Sequence, residues 1–299
     1  MTVPLPPVRP EPSAAGPVVG AYRLSGRIGT GEHGDVFLAV HVDTGEPVAV
    51  KRLRMPAGDA QRRADIARRF VGEVEATRRL QHPDIVRLLD AGSDDAGPWL
   101  AMELLAGRSL ERYTHASRLL PEPVVLGVAA RVARALAYAH EHGVVHRDLK
   151  PSNVIVDWAS RRVTLTDFGL ASGAEAESTR TGLVLGSPAY MAPEQLAGAP
   201  AAPGADLYAL GVTLFELLVG RRPHESPSLG ELLRQVAEQC APDLRSCRAD
   251  LPAPLAELVA ALLAKNRADR PASAAAVAES LERIIPTIDP APAGSMSRP

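Results

Sequence analysis

The spacing of apolar residues changes once along the chain, and this change restricts the folds that the sequence can adopt. In about the first third, apolar residues form short β-branched runs bounded by Gly or Pro, as in Asp35–Val42 and Val48–Leu53. From Pro123 onward they recur at helical spacing, as in Val124–His142. A strand-rich segment followed by a helical segment predicts an α+β architecture with two lobes and a cleft between them.

The individual elements follow from the same patterns. Strands are predicted at Tyr22–Ile28, Asp35–Val42, Val48–Leu53, Ile85–Ala91 and Pro98–Leu104. A hairpin turn at Thr44-Gly45 is predicted to join the second strand to the third. Helices are predicted at Ala60–Leu80, Val124–His142, Leu207–Val219, Leu229–Gln239, Pro254–Ala264 and Ala272–Ile284.

The two ends of the chain are rich in Pro, Ala and Gly. Such segments cannot bury enough apolar surface to offset the entropy lost on ordering. Residues 1–20 and 286–299 are therefore predicted to be disordered, and residues 21–285 to form the folded part of the chain.

Charge and composition exclude several classes of protein. Lys and Arg total 33 and Asp and Glu total 35, so neither nucleic acid nor an anionic membrane is expected as a partner. The longest apolar stretch, Leu207–Val219, is too short for a membrane span and contains Glu216. The proline-containing N-terminus is unlike a signal peptide, and two cysteines, Cys240 and Cys247, cannot form a disulfide framework. We therefore expect a cytoplasmic protein with reduced thiols.

A glycine-rich loop follows the first predicted strand. Residues 28–36 have the pattern G-x-G-x-x-G-x-V, in which glycines allow the backbone to approach phosphate oxygens closely. A dinucleotide-binding fold requires a helix after the third glycine, Gly34, whereas this sequence continues as a strand. The loop is therefore predicted to be a strand–loop–strand flap. Lys51 ends the next strand; such a lysine is ordinarily just solvated, but behind a phosphate-binding hairpin it supplies a cation for phosphates.

Three further motifs concentrate polar groups. They are His146-Arg147-Asp148-Leu149-Lys150-Pro151-Ser152-Asn153, Thr166-Asp167-Phe168-Gly169 and Ala192-Pro193-Glu194. With these motifs in this order, the sequence resembles the eukaryotic-type (Hanks-type) protein kinases, and among them the bacterial serine/threonine protein kinases, over about residues 20–285. The resemblance implies the bilobal protein-kinase fold, with a small antiparallel-sheet N-lobe that carries one main helix and a larger helical C-lobe. The N-lobe would span about 21–102, the hinge 103–107 and the C-lobe 108–285.

The resemblance also implies catalytic and metal-binding residues, with ATP as the phosphoryl donor and Mg²⁺, or Mn²⁺ in its place, as the metal. Asp148 would accept or orient the proton of the substrate hydroxyl, and Lys150 would neutralise the transferring phosphate. Asn153 and Asp167 would ligate the metal.

Lys51 would hold the α- and β-phosphates and would itself be held by a helical glutamate. Counting back from His82-Pro83 assigns that glutamate to Glu73. Glu75 is the rival, but a residue two positions away on a helix faces elsewhere.

The resemblance places the nucleotide between the flap and the hinge. The implied ATP-binding residues are Ile28, Gly29, Thr30, Gly31, Gly34, Val36, Ala49, Lys51, Met102, Glu103, Leu105 and Ile155. Val36, Ala49 and Ile155 would surround the adenine ring. Met102 would be the gatekeeper, and backbone groups of Glu103 and Leu105 would recognise the adenine edge.

Two threonines, Thr179 and Thr181, are predicted to be autophosphorylated, since Arg147 precedes the catalytic aspartate and such an arginine binds a loop phosphate in related kinases. Ser187 stands where the family usually carries threonine.

Several residues are implied to be structural rather than catalytic. Glu194 and Arg270 would form a buried ion pair, and Asp206 would brace the catalytic loop. His146, Phe168 and Leu88 would form a hydrophobic column, with Thr77 at a position that is usually apolar.

The leading hypothesis is a serine/threonine protein kinase that acts on protein substrates, with self-association for autophosphorylation between copies and no nucleic-acid or membrane partner. A pseudokinase scaffold that binds nucleotide without catalysis is the alternative, and it is disfavoured because Lys51, Glu73, Asp148, Asn153 and Asp167 are all present. A small-molecule phosphotransferase is also considered, but such enzymes usually lack a segment like Ala192-Pro193-Glu194.

Overall fold

The computed structural model describes residues 16–31, 34–55, 70, 74–168, 188–200 and 202–287. Over these residues the chain forms a sheet-based N-lobe and a helical C-lobe, which confirms the predicted bilobal α+β fold. The predictions for Glu73, Thr179, Thr181 and Ser187 fall on residues outside the described ranges.

The N-lobe is built on one antiparallel sheet of six strands. Their spatial order is β1-β2-β3-β4-β6-β5. The strands are β1 (Val18–Val19), β2 (Tyr22–Gly31), β3 (Gly34–His41), β4 (Pro47–Leu53), β5 (Leu88–Asp94) and β6 (Gly97–Glu103). The predicted turn at Thr44-Gly45 joins β3 to β4, and Gly45 adopts the left-handed conformation (φ +72°) that such a turn requires.

The two faces of this sheet bury different clusters, because side chains alternate along a strand. Val48 and Val50 of β4 point to one face, where they pack with Tyr22 and Trp99. Ala49 points to the other face and packs with Met102 and with Val74 of a helical segment at 74–78. Lys51 follows Ala49 on that second face, so strand alternation alone aims this lysine toward the cleft.

The sheet begins earlier in the chain than predicted. Residues 1–20 were expected to be disordered, but Val18–Val19 forms β1 and pairs with β2. Val19 is buried against the sheet and the Leu24 N–H donates to Pro17 O, so a two-residue strand is enough to fix this segment. The predicted strand at Ile85–Ala91 instead runs from Leu88 to Asp94, because Ile85 pairs with Leu165 in the C-lobe.

The C-lobe is mostly helical. Its helices among the described residues are α1 (Glu122–Glu141), α2 (Pro193–Leu196), α3 (Pro203–Val219), α4 (Leu229–Glu238), α5 (Leu244–Cys247), α6 (Ala253–Leu262) and α7 (Ala274–Ile284). Helix α3 is buried on all sides, which explains why the longest apolar stretch of the chain is not amphipathic. Gly220 ends it in the left-handed conformation (φ +85°). Across the described ranges, no helix has the length and hydropathy needed to cross a bilayer.

A second sheet, which the sequence patterns did not predict, lies beside the hinge. Its three antiparallel strands are β7 (Arg108–Ser109), β8 (Val154–Asp157) and β9 (Arg162–Leu165). Strand β8 follows the His146–Asn153 motif directly and β9 precedes the Asp167 motif. The β8–β9 hairpin therefore places the predicted catalytic and metal-binding segments at the same edge of the C-lobe.

Candidate active site

A cleft of about 660 Å³ separates the β2–β3 flap from the C-lobe. The predicted site residues that line it are Gly29, Thr30, Gly31, Gly34, Val36, Lys51, Asp148, Lys150, Asn153 and Asp167. Residues that are far apart in the sequence are thus brought together on facing walls of one cavity, which is where ligands usually bind.

The flap is a hairpin in which the third glycine has a structural role. Strands β2 and β3 pair from Tyr22 to Gly31, with register shifts near Ser25 and Ile28. A Cβ atom on Gly34 (φ +154°) would lie 1.9 Å from the carbonyl oxygen of Arg52 on β4. Gly34 is therefore required by the close approach of the neighbouring strand, whereas Gly29 and Gly31 face the cleft.

Lys51 is buried and forms an ion pair at the back of the cleft. Its Nζ lies 2.8 Å from Asp167 Oδ1, and only 5% of the lysine side chain is exposed. Asp167 has a left-handed backbone (φ +63°), an uncommon conformation for a residue with a side chain. Glu75, the rival partner for Lys51, is exposed. The pairing of Lys51 with Glu73 stays a prediction.

The catalytic loop brings three functional groups into direct contact. Lys150 Nζ lies 2.9 Å from Asp148 Oδ2. Asn153 Nδ2 donates to the Asp148 carbonyl oxygen at 2.7 Å and to Asp148 Oδ2 at 3.1 Å. Asp148 and Asn153 are buried within the loop, so the carboxylate is held in one orientation by a cation and an amide.

Asp206, near the start of α3, braces the predicted catalytic loop through its carboxylate, as expected from the sequence. Its two carboxylate oxygens accept hydrogen bonds from the backbone N–H groups of His146 and Arg147, both at 2.8 Å. His140 Nε2 lies 2.7 Å from the same carboxylate. These contacts hold Arg147 in a left-handed conformation (φ +72°) one residue before Asp148.

The oxygen donors at the inner end of the cleft fit a magnesium ion. Because Asn153 uses its Nδ2 toward Asp148, its Oδ1 is the acceptor, with the Ser152 hydroxyl 3.5 Å away, and Asn153 and Asp167 both line the cleft. Mg²⁺ is usually bound by one or two protein oxygens together with substrate phosphates and water. The described part of the chain contains no group of three His, Cys, Asp or Glu residues that would hold a metal by itself. The donor set therefore suits a metal that arrives with a nucleotide.

The predicted adenine contacts lie in one apolar cluster beside this polar end. Val36, Ala49, Met102 and Leu105 pack together, and Ala49 pairs with Met102 across β4 and β6. Leu105 is half-buried, and among the described residues no hydrogen bond involves its backbone.

One predicted adenine contact, Ile155, another predicted ATP-binding residue, Ile28, and the first hinge residue, Glu103, lie outside this cluster. Ile155 is half-buried on β8. Ile28 is 49% exposed. The predicted ATP-binding residues that do not line the cleft are Ile28, Ala49, Met102, Glu103, Leu105 and Ile155. The Glu103 N–H donates to Arg87 O at 3.1 Å, which leaves the Glu103 carbonyl as the group for an adenine contact.

The predicted structural pairs are present. Arg270 donates to both Glu194 oxygens at 2.6 and 2.8 Å, and only 1% of its side chain is exposed. Although burial opposes it, hydrogen bonding from Arg270 keeps the pKa of Glu194 below its usual value. The His146 and Phe168 rings lie 4.6 Å apart, and Thr77 lines a small cavity against Phe168.

Residues outside the predicted set also line the cleft. They are Ser109, Glu111, Pro151, Ser152, Pro188, Ala189, Tyr190, Arg222 and Leu232. Tyr190 Oη donates to Glu216 Oε2 at 2.5 Å, and burial raises the pKa of Glu216. Tyr190 lies just before the Ala192-Pro193-Glu194 motif, and this position was the one feature of the sequence that could have identified it. Nothing local in the sequence marks Arg222 or Leu232.

Comparison with known proteins agrees with this geometry. The family model described as the protein kinase domain matches residues 22–281. The serine/threonine-protein kinase pkn3 of Myxococcus xanthus is 36% identical over 274 residues, which are 88% of this chain and 50% of that protein. PrkC of Bacillus subtilis is 32% identical over 83% of this chain and 38% of its own length. PknL of Mycobacterium tuberculosis is 36% identical over 88% of this chain and 65% of its own length.

The chain belongs to the protein kinase family, and its domain is of the bacterial serine/threonine kinase type. It spans between 38% and 65% of the length of these curated relatives. A crystal structure of Rad53 residues 1–466 in complex with AMP-PNP shares the fold, with a TM-score of 0.71 at 24% identity, over 87% of this chain and 64% of that one.

Proposed function

We propose that the chain transfers the γ-phosphate of ATP to serine and threonine hydroxyls of proteins, with Mg²⁺ or Mn²⁺. The observation that carries this proposal is the contact of Asp148 with both Lys150 and Asn153 on one wall of the cleft, facing the Lys51–Asp167 pair. This arrangement surrounds a phosphoryl group with positive charge and places a carboxylate where a hydroxyl would enter.

In this mechanism the side chains position the two substrates and neutralise the negative charge of the phosphates. Lys51 binds the α- and β-phosphates, and Asn153 and Asp167 hold the metal, which neutralises phosphate charge when it is bound. The substrate hydroxyl oxygen forms a bond to the γ-phosphorus while the bridging P–O bond to the β-phosphate breaks. Asp148 receives the hydroxyl proton, ADP leaves, and Lys150 stabilises the charge on the transferred phosphoryl oxygens.

The test is phosphate transfer from γ-labelled ATP by wild type, Asp148→Asn and Asp95→Asn. Asp95 is exposed on the turn between β5 and β6, so its variant controls for a change of one surface charge. We expect label transfer to fall by about 10³-fold in Asp148→Asn and to be unchanged in Asp95→Asn. Equal transfer by wild type and Asp148→Asn would contradict the proposal.

The proposal extends to Thr179 and Thr181 as autophosphorylation sites, to self-association of two copies during that step, and to a cytoplasmic location. It also takes residues 21–285 as the kinase domain, extended at its start by β1. Phosphosite mapping of wild type and Asp148→Asn after incubation with ATP tests the two threonines. Phosphate at neither position in an active preparation would contradict this extension.

The pseudokinase scaffold is the second candidate, and one observation bears on it. Thr77 occupies a position that is usually apolar in the family, and it lines a small cavity beside Phe168. The helical segment 74–78 is therefore packed less fully against the active site. Binding of ATP without label transfer, either to itself or to generic protein substrates, would favour this candidate.

A further inference from the structure

The β8–β9 hairpin of the C-lobe contacts both ends of the hinge, Glu103 and Gly107. Glu103, the last residue of β6, accepts hydrogen bonds from Arg162, the first residue of β9. The two guanidinium nitrogens lie 2.9 and 2.8 Å from the two carboxylate oxygens, which is a bidentate ion pair with defined geometry. The side chain of Glu103 is 19% exposed and that of Arg162 is 40% exposed.

Further hydrogen bonds lock the same residue. Glu103 Oε1 also accepts from the backbone N–H of Arg87 at 2.9 Å, while the Glu103 N–H donates to the Arg87 carbonyl at 3.1 Å. Although burial works against it, hydrogen bonding from Arg162 lowers the pKa of Glu103, so the carboxylate stays charged. Both the side chain and the amide of Glu103 are therefore fixed by Arg162 and Arg87, neither of which lines the cleft.

The other end of the hinge touches the same hairpin. A Cβ atom on Gly107 (φ +107°) would lie 2.4 Å from the carbonyl oxygen of Val156 on β8, and Arg108 pairs with Val156. The hinge is thus held at Glu103 and at Gly107, with Leu105 between them.

We propose that Arg162 is a positioning residue for nucleotide binding, which acts through Glu103 to hold the hinge backbone in the orientation that recognises adenine. This inference rests on the proposed function. A preorganised hinge binds its ligand more tightly because less conformational freedom is lost on binding. Removing the Arg162 side chain should therefore weaken ATP affinity while leaving the chemistry at Asp148 in place.

The test compares Arg162→Ala, Arg162→Lys, Glu103→Gln and the double variant Glu103→Gln/Arg162→Ala. Glu103→Gln keeps an oxygen that can accept from the Arg87 N–H. Arg134→Ala is the matched control, since Arg134 pairs with Glu282 on the C-lobe surface and does not touch the hinge. Binding of a non-hydrolysable ATP analogue with Mg²⁺ is measured by calorimetry, and kcat and KM for ATP are measured separately.

We expect Arg162→Ala to raise the Kd and the KM for ATP by about 5- to 30-fold, with kcat within about two-fold of wild type. The Kd and KM of Arg162→Lys should fall between those of wild type and Arg162→Ala, because a lysine keeps the charge but loses the bidentate geometry. In the Glu103→Gln background, Arg162→Ala should have little further effect. A Kd within two-fold of wild type, additive effects, or a change in kcat with KM unchanged would each overturn the inference.

Hydrogen exchange separates this inference from the proposed function. Amide exchange over residues 103–107 is measured in the nucleotide-free protein, so it does not depend on ATP binding. Faster exchange in Arg162→Ala than in wild type and Arg134→Ala supports the hinge restraint even if wild type binds no nucleotide; in that case the proposed function and the role of Arg162 in nucleotide binding both fail, and only the restraint stands. Equal exchange in all three proteins would overturn the restraint.

Discussion

Asp167 shows how one residue combines backbone strain with chemistry. Its left-handed backbone (φ +63°) costs free energy, and it lies where the side chain contacts Lys51. Asparagine tolerates this conformation and has nearly the same shape, but carries no charge. We therefore expect Asp167→Asn to keep its melting temperature within a few degrees of wild type and to lose about 10²-fold or more in phosphoryl transfer. Calorimetry and labelled-ATP assays measure the two effects, and retained activity would contradict the assigned role.

Thr77 is the residue at which the chain departs from an apolar column. It lines a cavity of about 20 Å³ with Val74, Leu88, Met102 and Phe168, a volume that accommodates roughly one added methyl group. Thr77→Ile replaces the hydroxyl with an ethyl group, which extends into this space, whereas Thr77→Val replaces the hydroxyl with a methyl group of similar size and leaves the space unfilled. We expect Thr77→Ile alone to stabilise the protein by about 0.5–2 kcal/mol and to raise activity, as measured by urea unfolding and initial rates. A loss of stability in Thr77→Ile would show that the cavity cannot accept the methyl group.

For single residues, the sequence predicts which groups could react, but it does not predict their backbone conformations or their tertiary contacts. The chemistry of Lys51, Asp148 and Asp167 follows from residue types in motifs, because phosphoryl transfer needs cations, a carboxylate and oxygen ligands. The left-handed backbone of Arg147 and the Arg162–Glu103 pair depend on tertiary contacts that no local pattern encodes.

Among the secondary-structure elements, α3 supports the catalytic loop through a single side chain. Asp206 is 1% exposed and uses both oxygens to accept from the His146 and Arg147 N–H groups. An asparagine offers one acceptor oxygen, so one backbone donor would be buried without a partner. We expect Asp206→Asn to lower the free energy of unfolding by about 1–3 kcal/mol and to reduce activity as well. Urea unfolding measures this against Asp95→Asn, and equal stability of the two variants would contradict the bracing role.

The long elements were predictable and the short ones were not. Helix α1 has apolar residues at helical spacing over its 20 residues, α3 contains the longest apolar stretch of the chain, and hairpin β3–β4 has a clear turn signal. Strands β8 and β9 are only four residues each and lie between two polar motifs, so their pairing is decided by packing beside the hinge. Strand β1 was missed for the same reason, since its two valines lie in a Pro-, Ala- and Gly-rich context.

For the molecule as a whole, stability against acid should depend on a buried histidine in the C-lobe. His224 is 5% exposed, and its Nε2 lies 3.3 Å from Lys265 Nζ, which also donates to the Val236 carbonyl on α4 at 2.7 Å. Burial, together with the Lys265 charge, lowers the pKa of His224 to about 4. Burial likewise lowers the pKa of Lys265 to about 8, so at neutral pH the lysine is the charged member and the neutral histidine accepts a hydrogen bond from it.

The direction of the pH effect follows from linkage. The unfolded chain binds a proton at His224 near pH 6.5, whereas the folded chain does so near pH 4, so protons favour the unfolded state between these values. Stability is therefore lost as pH falls from 6.5 toward 4, by up to about 3 kcal/mol from this group. His224→Gln keeps an acceptor for Lys265 but does not titrate, and we expect it to remove this part of the loss. Urea unfolding of both proteins at pH 7.5 and pH 5 measures the difference, which isolates His224 from carboxylates that titrate in both. An equal loss of stability in the two proteins would mean that the Lys265–His224 contact does not keep the histidine neutral.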